Sequence, residues 1–295
     1  MVRRFVNGVT IAAALFGVAI VAADARDAVM EPAPGLPGFT LYRPAEPMPN
    51  EPRWPIVAWG NGGCANLGNS AGPLLTEIAS HGYFVVAIGP IGELPKRPES
   101  PPPSKTAEEQ LRSAVATLGP APTRPEQLIE AIDWAIAAAA SGPFANRIDA
   151  ERVAVAGHSC GGLQAIAASS DPRVDSTVAL NSGVFEQPRV NVNKAALDRL
   201  HAPIAYFMGG PTDMAYPNAE DDFARITTVP VFKANNTFGH GGRLRDERGG
   251  PTAQWVVRWL DWTLKGDQAA RAAFVGSGCG LCREPGWSVE SKGLN

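Results

Sequence analysis

The sequence predicts an α/β fold, a mostly parallel central sheet with helices on both faces. Three observations predict it. Short apolar runs such as residues 83–88 ("YFVVAI") are near-continuous rather than alternating, the pattern of strands buried on both faces. Segments of helical length and periodicity lie between them, as parallel crossovers require. One junction between such a strand and such a helix, residues 153–167 ("VAVAGHSCGGLQAIA"), crowds a serine with glycines.

In chain order, an early strand is expected at 39–43 and a buried one at 55–59, which opens into the loop "GNGGCANLGNSAG". A helix follows at 73–80, stopped by Gly82, and then the strand 83–88. Residues 125–140 form an Ala-rich amphipathic helix, with Thr123 and Glu126 spaced as a capping box. The strand 153–156 leads to a helix at 163–169, and further strands are expected at 177–180, 203–208 and 229–234. The helix 251–265 carries Trp255, Trp259 and Trp262 along one face, a stripe that reads as core packing. No internal repeat is visible. The proline-rich insertion 93–125 holds one helix, 107–116, capped by Thr106 with Glu109. Such an excursion after a strand end is either a lid over a pocket or a surface insertion.

Hydrophobic residues make up 45% of the 295 and charged residues 19%, ordinary values for a globular core. The net charge of −3 and the scatter of Lys and Arg argue against a nucleic-acid partner. Residues 1–25 read as a signal peptide: Arg3 and Arg4, an apolar run from 5 to 21, and the small-x-small pattern of Ala23-Asp24-Ala25. The apolar run is short for a membrane span, although an uncleaved anchor has a similar pattern. The expectation is one exported domain over 26–295, secreted or periplasmic, with no stable membrane insertion once the leader is removed. Oligomeric state has no signature here.

Export colours the four cysteines. Cys279 and Cys282, in C-x-x-C spacing, are most simply a local disulfide in an oxidising compartment. A zinc site would need further ligands, and a redox motif would open a helix after a strand. Cys64 and Cys160 are far apart in sequence, and their pairing is open.

The glycines around Ser159 have a physical reason. G-x-S-x-G between strand and helix is the nucleophile-elbow pattern, a sharp turn whose neighbours must be small. Gly157 and Gly161 supply that room, and Gly162 lets the helix start close to the sheet. The Cys160 backbone N–H and the helix dipole there favour developing negative charge. A serine hydroxyl needs a base, and the chain has four histidines. His81 ends a helix, His158 is the elbow's x residue, and His201 lies at the amino end of the sheet. His240, in "NNTFGHGG", follows the 229–234 strand at the carboxyl end and remains by elimination. For the acid that orients it, Asp213 sits just past the 203–208 strand, while Glu220, Asp221 and Asp222 lie further on in the next helix. Chain order is then Ser159, Asp213, His240, that of the nucleophile-elbow hydrolases. "AWGNGGC" places Gly63 and Cys64 after the 55–59 strand, where backbone N–H groups could join Cys160 in an oxyanion hole. Trp59 and Phe238 are candidate pocket walls.

The stretches "WGNGGC", "EIASHGYFVVAIG", "GHSCGG", "GGPTD" and "FGHGG" resemble the α/β-hydrolase superfamily. Within it they look like the branch of chlorophyllases, platelet-activating-factor acetylhydrolases and cutinase-like polyester hydrolases. The resemblance implies the α/β-hydrolase fold, a Ser159–His240–Asp213 triad, and carboxylic-ester hydrolysis without metal or organic cofactor. Counted back from Ala79-Ser80-His81-Gly82, Cys64 falls where the cutinase-like enzymes place an oxyanion-hole N–H. Those enzymes carry an aromatic residue at that position and lack an insertion like 93–125. Both departures bear on substrate, so polyester cleavage is not part of the expectation. The expected activity is that of a serine esterase whose partner is an ester substrate. A peptidase, an acyltransferase or a non-catalytic binding protein on the same scaffold are the alternatives.

Overall fold

The computed structural model describes residues 25–47, 51–95, 106–117, 120–187 and 190–294. Apart from residue 25, the expected signal peptide lies outside them, as do Pro98 and Pro101–Pro103 of the proline-rich insertion.

Among these residues nine strands form one sheet: β1 (Ala28–Pro32), β2 (Phe39–Pro44), β3 (Trp54–Gly60), β4 (Phe84–Ile88), β5 (Ile148–His158), β6 (Val174–Leu180), β7 (Ile204–Met208), β8 (Val231–Asn235) and β9 (Ser288–Lys292). Their spatial order is β1-β2-β4-β3-β5-β6-β7-β8-β9. From β4 to β8 every pairing is parallel, while β1, β2 and β9 pair antiparallel at the two edges. Among the described residues seven helices accompany the sheet: α1 (Gly72–Ser80), α2 (Ala107–Thr117), α3 (Glu126–Ala140), α4 (Cys160–Ala168), α5 (Tyr216–Arg225), α6 (Gly250–Lys265) and α7 (Gln268–Arg271).

Side-chain alternation along the parallel strands divides the core between two faces. Val57 and Trp59 of β3 face Leu74 and Ile78 of α1 and the tryptophans of α6. Ile56 and Ala58 face Leu128 and Ile132 of α3 and Ala165 of α4. On that second face, Tyr206 and Met208 of β7 meet Leu163 and Ile166 of α4 and Ala219 of α5. The tryptophan stripe is core packing, as the spacing implies. Trp259 is fully buried and donates to Ser176 Oγ at 2.9 Å, and its ring meets Trp262 edge-on.

Two local expectations need correction. Thr123 and Glu126 make no capping box: α3 starts on Pro125 without a side-chain cap. The Thr123 hydroxyl instead donates to the Cys64 carbonyl at 2.8 Å, because the segment before α3 runs inward under the loop after β3. Helix α4 begins at Cys160, three residues before the expected start, since the elbow passes from strand to helix with no linker. The box on α2 does form, with Glu109 accepting from the Thr106 N–H at 2.8 Å and the Glu109 N–H donating to Thr106 Oγ1 at 3.2 Å.

Candidate active site

Ser159 sits between β5 and α4 with φ +52° and ψ −119°, a sparsely populated conformation for a non-glycine residue. What maintains it is backbone contact on either side. A Cβ on Gly157 would lie 2.2 Å from the Gly161 carbonyl oxygen, and one on Gly161 would lie 2.1 Å from the carbonyl carbon of Gly60 at the end of β3. Only glycine allows strand, turn and neighbouring strand to close this far. Ser182, just past β6, donates from Oγ to the Ser159 carbonyl at 2.7 Å and fixes the turn from the other side.

The loops after β7 and β8 bring Asp213 and His240 to the same rim. They pack backbone to backbone: Gly239 N–H donates to the Gly209 carbonyl at 3.1 Å, and a Cβ on Gly209 would lie 2.1 Å from the Gly239 carbonyl oxygen. His240 Nδ1 lies 2.6 Å from Asp213 Oδ1, and Nε2 lies 2.9 Å from Ser159 Oγ. A carboxylate can only accept, so the neutral ring carries its proton on Nδ1, and Nε2 is left to accept from the serine hydroxyl.

Asp213 is fully buried and held by four donors. Oδ1 accepts from His240 and from the Ala215 N–H at 2.9 Å; Oδ2 accepts from Asn181 Nδ2 at 2.7 Å and the Gly209 N–H at 3.0 Å. Burial alone would raise its pKa, but the hydrogen bond and charge of His240, then Ala215 and Asn181, outweigh it and hold the carboxyl below its ordinary value. The rival acids are engaged elsewhere. Glu220 pairs with Lys233, Asp221 with Lys194 and Arg225, and buried Asp222 with Lys194, Tyr206 and the Val184 N–H. Burial pushes Asp222 up to about 6, against the pull of Lys194.

The other histidines fall where their context suggests. His81 caps the C-terminal end of α1 beside Glu77. His158 turns from the serine and donates from Nε2 to the His240 carbonyl at 2.8 Å. Burial, then the nearby charge of His240, lowers it to about 4, so it is neutral at neutral pH.

Beyond β3, Gly62–Cys64 make a tight 3-10 turn, with positive φ at both Gly63 and Cys64. Asn61 anchors it, accepting from Trp59 Nε1 and Ser70 Oγ and donating to the Ile88 and Ala65 carbonyls. The Cys64 N–H donates to the Asn61 carbonyl at 3.1 Å, whereas Gly63 lies exposed at the turn's apex. Cys64 is disulfide-bonded to Cys160, and Cys279 to Cys282. Of the two candidate pocket walls, Trp59 is fully buried in the core, packed with α1 and α6. Phe238 is half-buried on the His240 loop, edge-on to Trp287 and beneath Arg243. Among the described residues no group of His, Cys, Asp and Glu is arranged to hold a metal ion, and no helix is long and apolar enough to cross a membrane.

A model of the PETase family, described as PET hydrolase-like, matches residues 113–197. That stretch contains the Ser159 elbow and its flanking strand and helix, but neither Asp213 nor His240. With the sheet order already in hand, the match decides the architecture. This is an α/β-hydrolase fold. The chain resembles the polyester-hydrolase branch of it, in line with the sequence motifs. No curated protein matches the chain.

Two features of the candidate site in this α/β-hydrolase fold escaped the sequence reading. Asn181 joins Asp213 to the His240 loop, since its Nδ2 also donates to the Gly239 carbonyl at 3.0 Å. Its only signal is its place one residue past an apolar strand, in "ALNSG". The Cys64–Cys160 pairing was open for want of geometry, because the two loops meet only once β3 and β5 are neighbours.

Proposed function

We propose that the protein is an exported serine esterase that hydrolyses carboxylic esters through an acyl-enzyme intermediate, with Ser159 as nucleophile, His240 as base and Asp213 as acid. The observation that carries the reading is the hydrogen-bonded chain from Asp213 through His240 to Ser159. The family match over 113–197 and the elbow's backbone support it.

In this reading Ser159 Oγ attacks the ester carbonyl as His240 Nε2 takes its proton. The resulting imidazolium is stabilised by Asp213, whose four donors keep it ionised and fixed. The Cys160 N–H, at the start of α4, and the Gly63–Cys64 turn hold the oxyanion. The Cys64 N–H is donated to the Asn61 carbonyl, which leaves the Gly63 N–H as the donor this reading favours on that turn. His240 then protonates the departing alcohol, and afterwards activates water against the acyl-enzyme. The leader and the two disulfides favour an oxidising compartment outside the cytoplasm.

A fluorophosphonate probe tests the mechanism directly. It should label Ser159 in the folded protein, and Ser159→Ala should remove both labelling and hydrolysis of a panel of short-acyl, long-acyl and aryl esters. No labelling and no turnover of any panel member would remove the esterase reading.

A further inference from the structure

The triad geometry does not explain what holds the two sides of the oxyanion hole at a fixed spacing. One side, the Cys160 N–H, belongs to the first turn of α4; the other belongs to the turn after β3, beyond the last parallel pair Gly60 and Gly157. That turn carries positive φ at Cys64, a conformation a non-glycine residue keeps only when its surroundings impose it.

Three ties converge on Cys64, and two of them come from α4. The side chain, fully buried, is bonded to Cys160 with the Cα atoms 5.1 Å apart. The carbonyl accepts from Thr123 Oγ1 at 2.8 Å, and Thr123 in turn accepts from Gln164 Nε2 at 2.9 Å. Gln164 is fully buried on α4, one helical turn beyond Cys160. The third tie is the N–H of Cys64 itself, donated to Asn61. The nucleophile helix therefore grips the facing turn once covalently and once through a buried Gln–Thr relay.

Resting on the esterase reading, we propose that the Cys64–Cys160 disulfide, with Gln164 and Thr123, is a positioning device that sets the spacing of the oxyanion-hole donors. None of the four side chains belongs to the triad or touches it by hydrogen bond, so loosening the device leaves Ser159, His240 and Asp213 assembled. Donors aimed in advance at developing charge act on the transition state rather than on substrate binding. The device therefore acts on kcat.

The test compares Cys64→Ala/Cys160→Ala with Cys279→Ala/Cys282→Ala and the wild-type protein, each checked for folding by circular dichroism. On one aryl ester, loss of the Cys64–Cys160 bond should lower kcat about 10- to 100-fold with KM within about twofold, while loss of the other bond changes neither. Unchanged kcat in the folded Cys64/Cys160 variant, or a change confined to KM, overturns the proposal. Thr123→Val and Thr123→Ser read the same device without touching a cysteine, and decide the matter if the double variant does not fold. Val should lower kcat with KM unchanged and Ser should restore it; wild-type kcat in Thr123→Val overturns the proposal. If the wild-type protein neither turns over esters nor labels at Ser159, the esterase reading itself has failed, a result distinct from any of these.

Discussion

His158 donates from Nε2 to the carbonyl of His240 at 2.8 Å, so the residue just before Ser159 steadies the backbone of the histidine that faces it. The ring does this while neutral, and burial holds its pKa at about 4. In the unfolded chain it would take a proton near 6.5. Between those values the unfolded state binds more protons, so stability falls as pH drops from about 6.5 to about 4. His158→Gln keeps an N–H donor and cannot titrate. It should lose less stability than wild type between about pH 7.5 and about pH 4.5, by up to about 3 kcal/mol in urea unfolding. Asp222, raised to about 6, contributes with the opposite sign, but equally in both proteins, and drops out of the comparison. Equal losses would mean that His158 takes up its proton as readily in the folded state as in the unfolded chain.

In the proposed mechanism the hydroxyl and its base act as one unit, so Ser159→Ala and His240→Ala should each reduce ester turnover by about 10⁴-fold or more, and the double variant should be little worse. Additive losses, or near-normal turnover in His240→Ala, would show that the base lies elsewhere.

Asp213→Asn should cost about 10⁴-fold in kcat, since an amide in place of Oδ1 or Oδ2 must face a donor where a carboxylate accepted. Asp221→Asn should leave kcat within about twofold, as that carboxylate pairs with Lys194 and Arg225 on an exposed helix face. Steady-state kinetics of the two variants side by side settles the acid; the reverse outcome moves it.

Asn181→Leu removes one of the two donors on Asp213 Oδ2 and the tie to the Gly239 carbonyl. A lost hydrogen bond to a buried charge is worth about 1.5–3 kcal/mol, so kcat/KM should fall about 10-fold or more. Wild-type kinetics in this variant would make the contact incidental.

The two disulfides should also differ in what they contribute to stability. Cys64 and Cys160 are 96 residues apart, Cys279 and Cys282 only three. Closure entropy then gives about 4–5 kcal/mol for the first and about 2 kcal/mol for the second. Denaturant unfolding of the paired alanine variants should rank them in that order; a larger loss at Cys279–Cys282 would contradict the entropic account.

Patterns that depend only on neighbours in the chain were legible in the sequence. The apolar runs around 55–59, 83–88 and 203–208 are strands because burial on both faces leaves no polar face to alternate. Ser159, Asp213 and His240 could be singled out because each follows a parallel strand at its carboxyl end, where the fold gathers loops. The edge strands β1 and β9 were missed, since "AVMEP" and "SVESK" are half-exposed and carry too little apolar signal. Thr123 matched a capping box by spacing alone, but a buried carbonyl 59 residues away competed for its hydroxyl and won. Trp59 looked like a pocket wall because it precedes a glycine-rich loop, yet strand alternation turns it toward α1 and α6. The misreadings of Thr123 and Trp59 thus arose from partners remote in sequence.

The bare contact between Gly60 and Gly161 limits how this protein could be redesigned. With the two main chains touching, one added methyl group at either position would pry a strand from the helix beside it and carry the serine along. Gly63 and Phe238, by contrast, reach solvent, and side chains there can change without disturbing that contact.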